Sequence, residues 1–520
     1  MEISGLALVF LFLSSLLILV SSFRHSSRAN TKKRRPPGPW AIPFVGSIHH
    51  MVTSQPQAAL RDLAEKHGPV MYLRLGQIDT VVVSSPAAAQ QVLQSNDVNF
   101  ASRPALIAAE IIGYGTLDLA FSPYGDYWRA LRKLCVLQLL SKHKVRQLAP
   151  IRDSETMSLV AEIRATAAAR DKATVNIGKL LVSCTNSIAG LATFGDVCNQ
   201  ERKEQFHSAV AVVLSHSFGF CLSDVFPSLW IVDVVTGMRR RMRRAHRQLD
   251  EMFDKIIEDC EARRKERMVN SGAGEDEAAE DNLVSSMLRI RDEEELGFPF
   301  KNTNIKALIF DIFTGGSETS SALAEWVMSE LMRHPREMAK AQAEVREAFH
   351  NVIPRHHESH MDRLHYTRMV IMETLRLHPI LPLLVPHLCR KTCDIGGYEV
   401  NKGSIVVINA WAMARNPKYW DNPEEFRPTR FENTTCDYKG SEFHYLPFGS
   451  GRRMCPGLSF GVAVLELIVA RLLYYFDWSL PGKMLPEELD MDITAGATAK
   501  RRNQLHLVAT PYDVPIPFEN

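Results

Sequence analysis

One cysteine limits what this chain can become more than any other residue. Cys455 lies in Phe448-Gly449-Ser450-Gly451-Arg452-Arg453-Met454-Cys455-Pro456-Gly457, directly ahead of an apolar run over residues 458–476 that reads as a helix. A helix N-terminus favours an anion, so a thiolate is stabilised at such a point. The glycines, Gly449 among them, let the backbone approach something flat and close. Arg453 can pair with an acidic edge of that partner. Alone, the cysteine would read as a buried thiol in a turn; the ten-residue pattern around it is what sets it apart.

Three further constellations accompany it. Glu373-Thr374-Leu375-Arg376 puts a carboxylate and a guanidinium on one face of a helix, locally an ordinary surface ion pair worth under about 1 kcal/mol. Gly315-Gly316-Ser317-Glu318-Thr319-Ser320 lies within a long helical pattern over residues 304–334 that Pro335 stops. Each of the two glycines costs a helix about 1 kcal/mol against alanine. A local kink with an open groove, which hydroxyls or water can fill, gives that cost a reason, and Glu318 and Thr319 then offer a route for protons. Trp128-Arg129-Ala130-Leu131-Arg132 places Trp128 and Arg132 four apart, where an aromatic and a cation together suit an acidic, planar partner.

The pattern Phe-x-x-Gly-x-Arg-x-Cys-x-Gly resembles the signature of the cytochrome P450 superfamily, and the resemblance extends from the proline-rich segment near residue 36 to the C-terminus. It implies a mostly α fold with a smaller β part, and haem b whose axial ligand is the Cys455 thiolate. That thiolate pushes electron density to favour O–O cleavage. It further implies that Arg453, Trp128 and Arg132 serve the haem propionates, with His387 where relatives often carry an arginine. Glu373, Arg376 and Arg430 become a structural network behind the haem, although Thr429 stands where a glutamate is usual. Gly316 belongs to an oxygen-binding groove, in which Thr319 steadies dioxygen and Glu318 feeds protons; Gly315 replaces the commoner alanine. Substrate walls fall at Phe310, Phe313, Ile380 and Leu381, with contacts over residues 103–122, 306–314, 380–385 and 493–498. The implied partners are O2, a small hydrophobic substrate and an NADPH-dependent flavoprotein reductase. Lys133, Lys142 and Lys144 are a candidate docking patch for that reductase.

Residues 3–23 are almost wholly apolar, long enough to span a bilayer core of roughly 30 Å. Six basic residues follow: Arg24, Arg28, Lys32, Lys33, Arg34 and Arg35. Basic residues after a span stay cytoplasmic, and a cleaved signal would carry its charge before the apolar run. The division is therefore a transmembrane anchor over 1–23, a basic and proline-rich hinge over 24–40, and a cytosolic catalytic domain over 41–520, on the endoplasmic reticulum membrane. The glycosylation pattern Asn433-Thr434-Thr435 would be idle there.

In the body, residues 70–75 and 80–84 read as strands of a hairpin about Gly76, and strands return near 398–400 and 404–408. Residues 239–267 form a long charged helix whose arginine run is a solvated face, and the acidic stretch over 270–282 is a loop. Phe218, Phe220, Phe226, Leu229, Trp230, Ile231 and Val232 make an apolar cluster, which is core packing or a second membrane contact or channel lid. The nine scattered cysteines, Cys455 apart, are reduced thiols of a cytosolic protein. A net charge of +2 gives no support for nucleic-acid binding.

The finer motifs are similar to the plant microsomal branch, whose members oxidise terpenoids, phenylpropanoids and alkaloids. The expected substrate is a sesqui- or diterpene, with an aromatic metabolite as the alternative. A reductase-independent haem-thiolate isomerase and a haem-based sensor fit less well, because the groove glycines and the acid–hydroxyl pair are present.

Overall fold

The computed structural model describes residues 34–169, 174–196, 221–270, 282–294, 296–494, 496 and 498–513. The apolar N-terminal run, its first four basic residues, Phe218, Phe220 and almost all of the acidic loop lie outside these residues.

The architecture is mostly helical, with three small sheets. Six helices matter for the site: α1 (Asp126–Leu134), α2 (Ile177–Phe194), α3 (Met238–Asn270), α4 (Asn302–Arg333), α5 (His365–Leu377) and α6 (Leu458–Tyr475). The strands are β1 (Val70–Leu75), β2 (Ile78–Val83), β3 (Thr174–Asn176), β4 (His387–Leu388), β5 (Cys393–Ile395), β6 (Tyr398–Val400), β7 (Ile405–Ile408), β8 (Phe476–Ser479) and β9 (His506–Pro511). They form a four-stranded sheet β1-β2-β7-β4, a three-stranded sheet β3-β9-β8 and the ladder β5-β6.

The hairpin forms about Gly76, as the two strand-like runs predict. Gly76 takes φ +62°, a left-handed position open to glycine at little cost. The continuous buried run Val81-Val82-Val83 follows from β2 lying between antiparallel β1 and parallel β7. The proline segment is stitched to the sheet edge. The Pro37 carbonyl accepts from Tyr72 N at 2.8 Å, and a Cβ on Gly38 would lie 2.0 Å from the Tyr72 carbonyl oxygen.

Helix α4 is the spine. The Asn304 side chain accepts from Lys301 N at its start, and Pro335 follows its end. Trp326, Val327 and Leu331 are wholly buried, as befits a helix covered on several sides. The kink expected at Gly315-Gly316 does not interrupt α4, which stays α-helical through both. Helices α2 and α6 are apolar enough to cross a membrane by length and composition, yet most of each is buried in this core. Helix α3 buries Met242, Ala245, Leu249, Phe253 and Ile256 along one stripe and leaves Arg240, Arg241, Arg243 and Arg244 in solvent.

The structure overturns one expectation and decides an open one. Glu373 and Arg376 are not a surface pair, for both are fully buried. The Arg376 fork meets Glu373 at 2.7 and 2.9 Å and reaches the carbonyls of Ala414, Pro423 and Glu425. Arg430 joins Glu373 at 2.7 Å, and its other donors go to the carbonyls of Asp421, Asn422 and Glu425, so no glutamate at position 429 is needed to hold it. Nor is the apolar cluster near Trp230 core packing. Leu229, Trp230, Ile231, Val234 and Val235 are exposed, on a segment tied to the β1–β2 turn through Gln77 N and the Val225 carbonyl.

Removing one partner of a buried ion pair costs about 3–5 kcal/mol, because the other charge stays behind. Glu373→Ala strands two guanidinium groups at once. It should therefore lower the thermal unfolding midpoint sharply or prevent accumulation of folded protein, whereas removing the exposed pair Arg502–Asp492 should leave the midpoint nearly unchanged.

Candidate functional site

The cysteine loop is built by glycine geometry. Gly449 and Gly451 both take φ +71°, and a Cβ on Gly451 would lie 2.0 Å from the Leu93 carbonyl oxygen, so no larger residue fits. Cys455 N closes the loop on the Phe448 carbonyl at 3.0 Å. Helix α6 begins three residues later. The half-buried Cys455 sulfur receives the Gly457 N–H, and Arg132 acts on it electrostatically. Both favour the thiolate, but burial outweighs them and pushes the thiol up. The helix start alone does not ionise this cysteine, contrary to the reading from sequence; a cation at the sulfur would supply the balance.

Beside the loop lies a cluster of buried cations. The Arg453 guanidinium stacks over the Trp128 ring at 4.1 Å and donates to the carbonyls of Ala101 (2.6 Å), Leu119 (3.0 Å) and Ser122. The Trp128 indole N–H donates to Leu119 as well, at 3.1 Å. Arg103, expected among substrate contacts, instead donates to the carbonyls of Ala120, Val385 and Pro386. The Arg132 side chain makes no hydrogen bond or ion pair with the described residues; burial lowers it, with Cys455 first among the groups that oppose this.

Burial disfavours the charge on each of these cations. Burial first, then Arg453, holds Arg103 well below its usual range. Burial lowers Arg453 to about 9, with Arg132 adding to the effect and Asp118 opposing it. His387 is pushed down to about 3 by burial and then by Arg103, so it is neutral. Its Nδ1–H is spent on the Phe100 carbonyl at 2.7 Å, which leaves Nε2 an acceptor rather than the donor expected there.

Two acids absent from the sequence reading sit on the inner side. Asp311, on α4, accepts from Leu119 N (2.7 Å) and Ala120 N (3.1 Å), pinning the 118–122 loop to the spine. Asp118 accepts from Phe121 N, and its second oxygen has no partner. Burial raises Asp118 to about 6 and holds Asp311 well above its usual range, where Asp118 adds to the effect. The sequence signal that could have found Asp311 is an acid among apolar neighbours one turn before the glycine pair.

The glycine pair divides its work. A Cβ on Gly316 would meet Phe460 at 3.3 Å and Ala189 at 3.9 Å, so this glycine lets α4 approach α6 and α2. Gly315 has open space around it. The Thr319 hydroxyl donates to the Gly315 carbonyl at 2.7 Å. Glu318 points elsewhere: it pairs with Lys500 and lies 3.5 Å from the Thr498 hydroxyl, both from the C-terminal loop.

Of the expected substrate walls, Phe310 and Leu381 are half-buried. Ile380 is buried, and its carbonyl accepts from Ala499 N. Phe313 is 1% exposed and stacks on Phe194 at 6.0 Å between α4 and α2, so its ring is core packing.

A half-buried cysteine beside surplus positive charge suits a planar ligand with a metal at its centre and carboxylates at its edge. Comparison with known proteins supplies the same class. Residues 36–506 match the family model described as cytochrome P450, and the chain belongs to that family. It is 57% identical to cytochrome P450 99A2 of Oryza sativa subsp. japonica, over 98% of this chain and 94% of that protein. It is equally identical to 9-beta-pimara-7,15-diene oxidase of the same plant, over 93% of each. Premnaspirodiene oxygenase of Hyoscyamus muticus is 44% identical over 98% of this chain and 99% of its own. A zebra fish cytochrome P450 solved with progesterone shares the fold, with a TM-score of 0.72 at 22% identity over 88% of this chain and 99% of that one. The protein is thus a haem-thiolate monooxygenase, using O2 and electrons from a redox-partner reductase on a hydrophobic substrate.

The raised Asp118 carboxyl has a consequence for stability. An acid raised on folding contributes nothing adverse while both states are protonated, and destabilises the fold once both ionise. The destabilisation should grow as pH rises from about 3.8 to about 6 and then level off. Asp118→Asn should remove it. The unfolding midpoint of the variant minus that of the wild type should therefore increase across that window; a flat difference would show that Asp118 ionises normally.

Proposed function

We propose that Cys455 is the axial haem ligand and that the substrate is a terpenoid olefin of sesqui- or diterpene size. The carrying observation is the Cys455 loop, with the Gly457 N–H on the sulfur and the Arg132–Arg453–Trp128 group beside it. The terpenoid class is supported by 57% identity, over nearly the whole chain, to a relative named for its action on a pimaradiene. Phe310, Ile380 and Leu381 offer an apolar surface with few polar handles, which suits such a substrate.

Haem bound at Cys455 supplies the oxygen activation and hydroxylation chemistry; the protein positions, shields and delivers protons. Arg132 and Arg453 are the groups that would meet its carboxylates. The Gly457 N–H tempers charge on the sulfur. The Thr319 hydroxyl, held on the Gly315 carbonyl, stands ready to pass a proton into the open space at Gly315. Glu318 is held by Lys500 and the Thr498 hydroxyl at the C-terminal loop, so it would have to leave Lys500 to pass a proton to Thr319.

The same reading places the catalytic body on the cytosolic side of the endoplasmic reticulum. The exposed residues Leu229, Trp230, Ile231, Val234 and Val235, together with Trp40 and Phe44, form its membrane-facing side. These two groups are joined through the turn at Gly76 and Gln77, whose backbone meets Val45 and Val225. The apolar run over residues 3–23 supplies the anchor.

Expression with a plant flavoprotein reductase and a panel of sesqui- and diterpene olefins tests the proposal. The reduced carbon-monoxide complex should show the red-shifted Soret band of thiolate ligation, with an oxygenated product and matching NADPH consumption. Cys455→Ala should abolish the band; a retained band would exclude this ligand. Thr319→Ala should keep the band but lower product per NADPH, towards the low end of the roughly 10²–10⁴-fold contributed by proton-transfer groups. Turnover of aromatic substrates alone would exclude the terpenoid reading but leave the ligand standing. Salt-washed membranes should retain the full chain, and they should release a chain begun at Pro36 only in part.

A further inference from the structure

Cys389 and Cys393 take no part in the chemistry above, yet the fold brings them together. Cys389 is buried just after β4; its Sγ lies 3.1 Å from the Lys391 carbonyl oxygen and 3.8 Å from that of Val400. Cys393 is half-buried, opens β5 and faces Val400 across the β5–β6 ladder. Both residues therefore border Val400, and the two thiols share a hydrogen bond. The chain between them is clamped. Asn99 exchanges two hydrogen bonds of 2.7 Å with Lys391, and its amide lies 3.9 Å from Cys389 Sγ. Cys389 N and O are tied to Ser404 and Gly403. The two sulfurs are held as neighbours across a three-residue turn.

We propose that Cys389 and Cys393 form a reversible disulfide, a redox modification site on the turn behind His387, with hydrogen peroxide as the oxidant.

The environment assigns the roles. Cys393 is lowered to about 7, first by the hydrogen bond from Cys389 and then helped by Asn99, so it is the nucleophile. Cys389 is raised, because its proton is held in that same hydrogen bond, so it resolves. The Cys393 thiolate attacks one peroxide oxygen; the O–O bond breaks, and the departing hydroxide takes a proton to become water. The product is a sulfenic acid. The Cys389 sulfur then displaces its hydroxyl, which leaves as water with the Cys389 proton. Two thiols and one peroxide give one disulfide and two waters, and an added dithiol reverses the change. Cys135, Cys184 and Cys221 contrast with this pair, since burial pushes each up to about 12 or beyond.

The sequence supplies a direct assay. Trypsin cuts after Arg376, Arg390, Lys391 and Lys402, so residues 377–390 and 392–402 fall on separate peptides that stay joined only through a disulfide. The haem-loaded full chain is treated with stoichiometric peroxide, alkylated, digested without reductant and analysed by mass spectrometry. The linked pair should appear, and both free alkylated peptides should fall by the same fraction. Dithiothreitol should restore them, while the other cysteine peptides stay alkylated. In Cys389→Ser, Cys393 should stop at a sulfenic acid that dimedone captures. The proposal is overturned if another cysteine is consumed first, if Cys393 passes to sulfinic acid without linkage in the wild type, or if no linked pair forms before the haem absorption is lost.

Discussion

The Arg453 guanidinium, flat on Trp128, holds the site together. It gathers carbonyls from Ala101, Leu119 and Ser122, three points on a loop region that would otherwise have no common anchor. Trp128 rides on α1, Arg453 on the turn before Cys455, and Asp311 clamps the same loop to α4 from the other side. One planar cation thus links the cysteine loop, the first site helix and the spine. A lysine could not do this, because it presents a point charge rather than a stacked fork with several fixed donors.

The same arrangement concentrates charge that protein alone does not balance. Burial lowers Arg103, Arg132 and Arg453, Arg453 further disfavours the charge on Arg103 and Arg132 that on Arg453, and the nearby acid Asp118 is itself pushed towards neutrality. Burial raises the Cys455 thiol despite the Gly457 N–H and Arg132, and burial likewise disfavours the charge on the arginines beside it. A haem offsets both at once, with iron at the thiolate and carboxylates at the arginines. The buried Glu373–Arg376–Arg430 group is the opposite case. There acid and donors match within the protein, and the network serves the fold.

Much of this was legible in sequence because it is local. The hairpin about Gly76, the long helix stopped by Pro335 and the cysteine loop ahead of α6 each follow from periodicity or glycine placement over a short stretch. What stayed hidden depends on contacts between distant segments. A spacing of three on a helix looks the same on a surface as in a core, so Glu373 and Arg376 read as an ordinary pair. Lys500 meets Glu318 across the fold, and Asp118 meets Asp311 between a loop and a helix; neither pairing has a sequence period. Phe313 carries the residue type of a pocket wall, and only its stacking on Phe194 shows that it packs the core. The Trp230 segment was undecided for the same reason, since apolar composition does not say which side is covered.

The central claim is that the surplus positive charge beside Cys455 is there for the haem carboxylates, and Arg132 isolates it. The Arg132 side chain makes no hydrogen bond or ion pair with the described residues, so its replacement takes no such contact from the fold. The decisive measurement is the rate at which Arg132→Gln loses haem to an excess of a haem-scavenging globin, set beside the thermal unfolding of the same protein. The account predicts faster haem loss with an unfolding midpoint, in the haem-free state, equal to or above that of the wild type. An unchanged rate of haem loss would contradict it.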